Sequence, residues 1–178
     1  QLYTLREFTK TPADIAKTMK KVREIGYEAV QVSGMGPIDP KELKKIVDGE
    51  GLTIASAHID FDRMRDQPEA VIEEHQLWAC KHPEIGRYWI QHGGGDPAEW
   101  VLKCKGRIPL LHLKDMANKA GQPLMTEIGE GNLNWPRILE AAKEAGVEWY
   151  LIEQDICQRD PFESLAISLR NLQNMGIK

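Results

Sequence analysis

Apolar residues recur every three or four positions in several stretches of the chain, and these stretches open and close alike. The stretch after Thr11-Pro12 places four apolar residues on one helical face and ends at Gly26. A capping residue beside proline is typical of a helix start, and glycine of a helix end. The same pattern predicts four more helices, from Asp39-Pro40 to Gly51, Asp96-Pro97 to Gly106, Asn134 to Gly146, and Asp160-Pro161 to Gly176.

Short apolar stretches between these helices predict strands. Five can be quoted, and a sixth is predicted within residues 87–91: "QLYTL", "YEAVQVS", "LTIASAH", "IPLLHLKD" and "WYLIEQD". Strands that alternate with helices over short links predict a parallel sheet covered by helices, because parallel neighbours need a crossover connection. The predicted fold class is therefore α/β.

The strand count predicts an incomplete barrel. A (β/α)8 barrel needs eight strands and typically about 250 residues, whereas this chain has 178 residues. A further helix is predicted from about Gln67 to His82, and Pro83 stops it, which leaves little chain for the next strand. We predict one truncated TIM-barrel domain over residues 1–178, with about six parallel βα units and a deletion junction near 80–88.

Polar side chains lie where the predicted strands end, at the edge where parallel α/β sheets bind ligands. They are Ser33, His58, Asp60, His112, Lys114, Asp115, Glu153 and Asp155. Each of them could instead simply begin a loop. For Asp60 and Asp155 we favour that simpler interpretation, and for His112 and Glu153 we favour a site.

Composition and charge narrow the function classes. The chain is 42% hydrophobic and 28% charged, with a net charge of −4, so it has no basic surface for nucleic acid. No apolar run is long enough to cross a membrane, and we expect a cytoplasmic protein. The three cysteines are widely spaced, so neither a disulfide framework nor a zinc site is indicated.

Several motifs together resemble one family. In chain order they are "QLYTLR", "IGYEAVQVSG", "SAH", "YWIQHGGGDPAEW", "GRIPLLHLKD", "IGEGNLNWPRIL" and "YLIEQD". They are similar to the sugar phosphate isomerase/epimerase family with a xylose-isomerase-like TIM barrel, which includes inosose dehydratases, hydroxypyruvate isomerases and ketose 3-epimerases. The resemblance covers nearly the whole chain except its middle.

This resemblance implies a divalent metal, Mn²⁺, Mg²⁺ or Co²⁺, held by two Glu, one Asp and one His, with Glu residues moving a proton on a sugar-like substrate. His112 and Glu153 match two of the metal ligands, and Glu153 also matches a catalytic residue. The other Glu is not found, and Gly86 stands where the Asp is expected. His58 and Lys114 match residues that line the pocket and approach the substrate.

Two functions remain open. The first is a sugar phosphate isomerase/epimerase-like protein whose proton transfer is impaired, because half of the implied ligand set is absent. The second is a non-catalytic barrel that serves as a binding or scaffold protein. In either case, strand edges exposed by the missing units predict a homodimer or another homo-oligomer, with no nucleic-acid or membrane partner.

Overall fold

The computed structural model of the protein describes residues 1–84 and 95–177, and the chain divides into two compact units, Gln1–Gly86 and Arg87–Lys178. The strand predicted within 87–91 and the metal-ligand position at Gly86 lie outside the described residues. Among the described residues, none of the helices combines the length and apolar character needed to cross a bilayer. The single-domain organisation and the cytoplasmic location stay predictions.

The first unit contains a three-stranded parallel sheet, and helices precede or connect its strands along the chain. Its elements are a 3₁₀ helix at Leu2–Phe8, α1 at Pro12–Ile25, β1 at Ala29–Val32, α2 at Pro40–Gly49, β2 at Thr53–His58, α3 at Phe61–Asp66, α4 at Pro68–Leu77 and β3 at Pro83–Glu84. The strand order is β1-β2-β3, and both pairs are parallel. Between β1 and β2, the buried Gln31 donates from Nε2 to Ser56 Oγ at 3.0 Å.

The second unit combines a parallel pair of strands with an antiparallel hairpin. Its elements are α5 at Pro97–Lys103, β4 at Leu110–Leu113, β5 at Asp115–Lys119, β6 at Gln122–Thr126, α6 at Trp135–Ala145, β7 at Trp149–Ile152 and α7 at Pro161–Asn174. Strand β4 pairs with β7 in parallel, and β5 pairs with β6 antiparallel. The described residues thus hold five parallel strands, fewer than the eight of a complete TIM barrel.

The helix starts predicted from the sequence are confirmed. Each of the five predicted caps accepts a hydrogen bond from a backbone N–H in the first turn, as Thr11 Oγ1 does from Asp14 N at 3.2 Å. Gly26 and Gly146 cap the ends of α1 and α6 in the left-handed conformation. These boundaries are predictable because a side chain next to the helix satisfies donors that the helix itself cannot.

The predicted first strand is wrong, since residues 2–8 form a 3₁₀ helix. The side chain of Gln1 accepts a hydrogen bond from Tyr3 N at 2.6 Å and so starts the turn. Leu2, Thr4 and Leu5 are all buried, and burial of the neighbouring residues Thr4 and Leu5 does not fit the alternation of a strand with one buried face.

The segment after β2 also differs from the prediction. The sequence predicts no helix between "LTIASAH" and Gln67, but residues 61–66 form α3, because Asp60 Oδ1 accepts hydrogen bonds from Asp62 N and Arg63 N. Helix α4 ends at Leu77, five residues before the predicted end. It stops there because Ala79 takes a positive φ of 54°, which turns the chain out of the helix.

The stretch predicted as one strand up to Asp115 is two strands. Strand β4 ends at Leu113, and β5 begins a hairpin that was not predicted. Ala120 and Gly121 form its two-residue turn, with φ values of 52° and 80°. Positive φ at both positions is what a tight hairpin turn of type I′ requires, and Asn118 Oδ1 accepts the Gly121 N–H at 2.9 Å.

Candidate functional site

The candidate site lies where β4 and β7 end side by side in the second unit. In the parallel register His112 lies opposite Leu151 and Leu113 opposite Ile152, and Glu153 N donates to Leu113 O at 3.0 Å. This pairing brings the polar residues that follow both strands to one edge. The apolar strand residues hold the backbone in place, so the edge positions are set by the sheet.

Four side chains form a charged cluster at this edge, which we call the strand-end cluster: His112, Lys114, Glu153 and Asp155. His112 Nδ1 lies 2.6 Å from Glu153 Oε2, and Lys114 Nζ lies 2.8 Å from the same oxygen. Lys114 Nζ also lies 2.9 Å from Asp155 Oδ2. The ammonium of Lys114 therefore bridges the two carboxylates.

The cluster is shielded from solvent to different degrees. The Glu153 side chain is 6% exposed and that of Lys114 is 13% exposed, while Asp155 and His112 are 20% and 18% exposed. Charged groups buried to this extent need opposite charges and hydrogen bonds nearby, because water no longer solvates them. The ammonium of Lys114 and the hydrogen bond with His112 supply this compensation to Glu153.

Burial and the neighbouring charges move the two carboxyl pKa values in opposite directions. Burial alone raises the pKa of Glu153, but hydrogen bonds from His112 and Lys114 outweigh it and lower the pKa to about 2. Burial raises the pKa of Asp155, and the nearby negative charge of Glu153 adds to the rise, against the hydrogen bond from Lys114. Glu153 is thus the firmly ionised member of the pair.

Three of these positions were candidates from the sequence, and the structure brings them together. His112, Lys114 and Glu153 are in contact. Asp155, for which the sequence favours a simple loop start, contacts Lys114 through an ion pair. Its spacing of two from Glu153 was the available signal, since residues two apart lie on the same side of an extended chain.

His58 lies at the end of β2 in the first unit. Its Nδ1 is 3.0 Å from Ser33 Oγ, so the polar residues at the ends of β1 and β2 are joined by a hydrogen bond. Gln1 Nε2 lies 3.5 Å from the same nitrogen. These contacts orient the imidazole ring, and they involve neutral partners, unlike those of the strand-end cluster.

Asp115 is a second buried carboxylate in the second unit, but its contacts are of another kind. Oδ2 accepts hydrogen bonds from Gly129 N at 2.8 Å, Gly131 N at 3.1 Å and Trp135 Nε1 at 2.7 Å, and Oδ1 accepts one from Met116 N at 2.7 Å. The side chain joins the start of the hairpin to the start of α6. This set of donors indicates a structural role.

The strand-end cluster does not fit a tightly bound divalent metal. Within residues 1–84 and 95–177, no three His, Cys, Asp or Glu side chains are grouped so that they could hold a metal ion. A metal bound between Glu153 and His112 would need Glu153 Oε2. This oxygen is already in contact with Nδ1 of His112 and Nζ of Lys114. The donor set therefore contains a fixed cation where a metal site needs anionic or neutral ligands.

A cavity of about 310 Å³ lies elsewhere in the second unit, at the first turns of α5 and α6. Asp96 and Arg137 line it, and their side chains form an ion pair of 2.6 Å. No residue of the strand-end cluster lines this cavity. The strand-end cluster is the better candidate for the functional site. Buried charged groups with shifted pKa values are typical of functional sites, whereas an exposed ion pair is common on protein surfaces.

Solved structures show what this arrangement of elements is similar to. No protein-family model matches the sequence, and no curated protein is significantly similar to it. Two structures described as sugar phosphate isomerase/epimerase from Parabacteroides distasonis are 18% and 19% identical to the chain, with TM-scores of 0.74 and 0.75. The first match covers 97% of this chain and 96% of that one, and the second covers 97% and 94%.

A third structure is described as a xylose isomerase-like TIM barrel/4-hydroxyphenylpyruvate dioxygenase fusion protein. It is 11% identical, with a TM-score of 0.59, and the match covers 92% of this chain and 43% of that one. The parallel strands and interspersed helices, together with these similarities, show an α/β fold of the TIM-barrel type. More particularly, the chain has the xylose-isomerase-like barrel fold of sugar phosphate isomerases/epimerases, in an incomplete form.

Proposed function

We propose that the protein is a sugar phosphate isomerase/epimerase-like protein that binds a small sugar or polyol at the strand-end cluster and has impaired proton transfer. The observation that carries this proposal is the contact of His112, Lys114 and Glu153 at neighbouring strand ends. Such a ligand carries several hydroxyl groups and a carbonyl. Its hydroxyl groups can donate to a carboxylate, and its oxygens can accept from the two hydrogen-bond donors beside that carboxylate.

Proton transfer at a carbon beside a carbonyl needs a base and a group that stabilises the developing negative charge. Glu153 is the candidate base, and the ammonium of Lys114 is the candidate partner for the developing oxyanion. The pKa of Glu153, lowered to about 2, makes its carboxylate a weak base at neutral pH. This is the physical reason for proposing weak rather than ordinary turnover.

A non-catalytic binding protein is the second candidate. It is favoured by the same oxygen of Glu153, Oε2, which is already in contact with two donors. A base must give up or share such contacts to reach a substrate proton. In a binding protein the contacts can persist while His112 and Lys114 hold ligand oxygens.

Deuterium exchange distinguishes the two candidates. The protein is incubated in D2O with a panel of aldoses, ketoses and their phosphates, and proton NMR follows loss of the signal from the carbon beside the carbonyl. An isomerase/epimerase-like protein exchanges this proton slowly, and Glu153→Gln abolishes the exchange. Glu148→Gln, at an exposed position of the same unit, is the matched control and leaves the exchange unchanged.

Ligand binding is measured on the same panel by saturation-transfer NMR. Binding without exchange supports the non-catalytic candidate, provided that Lys114→Met abolishes it and Lys119→Met, on the exposed end of β5, does not. If no member of the panel binds and none exchanges, both candidates are rejected.

We also propose that the protein forms a homodimer. The first unit exposes Phe61 and Ile72, at 62% and 55% of their accessible area, and large apolar side chains of this kind favour association. Light scattering across a range of concentrations tests the proposal. A molar mass that stays at one chain, even at high concentration, contradicts it.

A further inference from the structure

We propose that Lys114 supplies the positive charge that the family resemblance assigns to a divalent metal, so that the strand-end cluster works without a resident metal. This inference deepens the proposed function and rests on it for the nature of the ligand. Three observations on the second unit carry it: the position of Lys114 Nζ, the use of Glu153 Oε2, and the burial of both side chains.

The first observation is that Lys114 Nζ contacts both carboxylates of the cluster. It lies 2.8 Å from Glu153 Oε2 and 2.9 Å from Asp155 Oδ2. A metal that bound Glu153 Oε2 at the usual metal–oxygen distance of about 2.1 Å would lie within about 5 Å of Nζ. The ammonium and the metal would then repel each other at short range inside the same site.

The second observation concerns the oxygen that a metal would need. Glu153 Oε2 is shared by Lys114 Nζ and by His112 Nδ1, the latter at 2.6 Å. The two matched metal ligands therefore contact each other directly. A metal between them would have to separate the pair and displace the lysine from its position.

The third observation is the burial of Lys114 and Glu153, which makes displacement of the lysine by a metal unfavourable. The side chains of Lys114 and Glu153 are 13% and 6% exposed. Solvent screens a repulsion weakly at such positions, and a displaced ammonium would need a new partner. The lysine is therefore a built-in cation, and a ligand oxygen that acquires negative charge would meet its Nζ instead of a metal.

Metal titration tests this inference without any sugar. Wild-type protein, Lys114→Met and the control Lys119→Met are titrated with Mn²⁺ by calorimetry, and the electron paramagnetic resonance signal of free Mn²⁺ is followed in parallel. We expect no specific binding by wild type or by the control. Removing the ammonium should raise Mn²⁺ affinity about tenfold or more, as changes beside metal ligands commonly alter affinity by this factor.

The gain must depend on the cluster. Glu153→Gln in the Lys114→Met background should remove it, and a gain that survives this change contradicts the inference. Specific Mn²⁺ binding by wild type that Glu153→Gln abolishes would overturn it directly. If neither wild type nor the folded lysine variants bind Mn²⁺, the lysine is not the group that excludes metal, and the inference is also overturned.

The test remains decisive if Lys114→Met does not fold. Lys114→Gln keeps a hydrogen-bond donor but removes the charge, and circular dichroism shows which variant is folded. If neither folds, the wild-type titration decides alone. Failure of the inference can be distinguished from failure of the proposed function. Proton exchange on a sugar that requires Mn²⁺ would support the function and reject the inference. Exclusion of Mn²⁺ by Lys114 in a protein that binds no sugar would support the inference and reject the function.

Discussion

Asp115 and Glu153 are both carboxylates buried in the second unit beside the ends of β4 and β7, yet their partners differ. Asp115 accepts hydrogen bonds from three backbone N–H groups and one indole, all of which are neutral and fixed by the fold. Glu153 is held by the side chains of Lys114 and His112. The difference separates a carboxylate that organises the chain from one that is held by polar side chains of a candidate site.

The comparison explains why equal burial does not imply equal function. A backbone donor cannot turn toward a ligand without unfolding its segment, so Asp115 is committed to the hairpin and to α6. The donors of Lys114 and His112 belong to side chains, so their positions do not depend on the backbone path of one segment in this way. The region around Glu153 is therefore the candidate for ligand binding.

The largest expected effect is on the structural carboxylate. Asp115→Ala removes the acceptor for four buried or half-buried donors, and we expect a loss of about 4 kcal/mol in the free energy of unfolding. Urea denaturation followed by circular dichroism measures this loss. Glu144→Ala, which breaks an exposed ion pair with Lys105, is the control and should leave stability unchanged within error. Equal effects of the two changes would refute the structural role.

The second-largest expected effect is a loss in the free energy of unfolding at acid pH, caused by protonation of Glu153. The folded-state pKa of Glu153 is lowered from 4.5 to about 2, so its contribution is present above pH 4.5 and is lost as pH falls toward 2. By linkage this shift corresponds to stability on the order of 3 kcal/mol. Asp155 has a raised pKa, so its contribution is present at low pH and lost on ionisation, which offsets part of the loss.

Denaturation at a series of pH values, in wild type and in Glu153→Gln, isolates this contribution. The variant lacks the titrating group, so its stability should fall less between pH 4.5 and 2. The pKa of Glu127 is also lowered, since hydrogen bonds from Ser164 and Thr126 outweigh its burial, so some acid dependence remains in the variant. Parallel curves for the two proteins would show that Glu153 is not stabilised as described.

A substitution at Gly131 tests the structural role of Asp115, because Gly131 lies next to its carboxylate. A Cβ added there would lie 2.6 Å from both Asp115 Cγ and Met116 O, too close for the backbone to keep its path. Gly131→Ala should therefore cost about 2 kcal/mol, the range for overpacking a filled region. Gly49→Ala in α2 meets nothing within 4 Å and should be neutral or slightly stabilising. A tolerated Gly131→Ala would mean that this contact can relax.

The smallest expected effect lies at the far end of the hairpin that Asp115 begins. Ala120 has a φ of 52°, which is unfavourable for a residue with a side chain. Ala120→Gly should raise the free energy of unfolding by about 0.5 to 1 kcal/mol. Ala117→Gly, within β5 and paired with Leu124, should lower it instead. The same sign for both variants would contradict the assigned turn geometry.

The helices were largely predictable from the sequence, because their start signals are local. Thr11, Asp39, Asp96, Asn134 and Asp160 all cap as expected. The strands after them were predictable where apolar runs follow a glycine. The incomplete barrel also followed from counting these units, and the solved structures confirm the fold.

Other features depend on contacts that the sequence pattern does not display. The hairpin after β4 was missed because Lys114 and Asp115 look like the end of one strand, whereas the turn at residues 120–121 reverses the chain. The ion pair of Lys114 with Asp155 depends on the register of β4 with β7. Resemblance suggested His112 and Glu153 as ligands, but their direct contact is visible only in three dimensions.

The side-chain caps of the helices have a consequence for how such a chain can evolve. In α1, α2, α5, α6 and α7 the capping side chain lies in the residue directly before the helix, so these helix starts are set locally. Loss of a whole βα unit would therefore leave the start signals of the remaining capped helices in place.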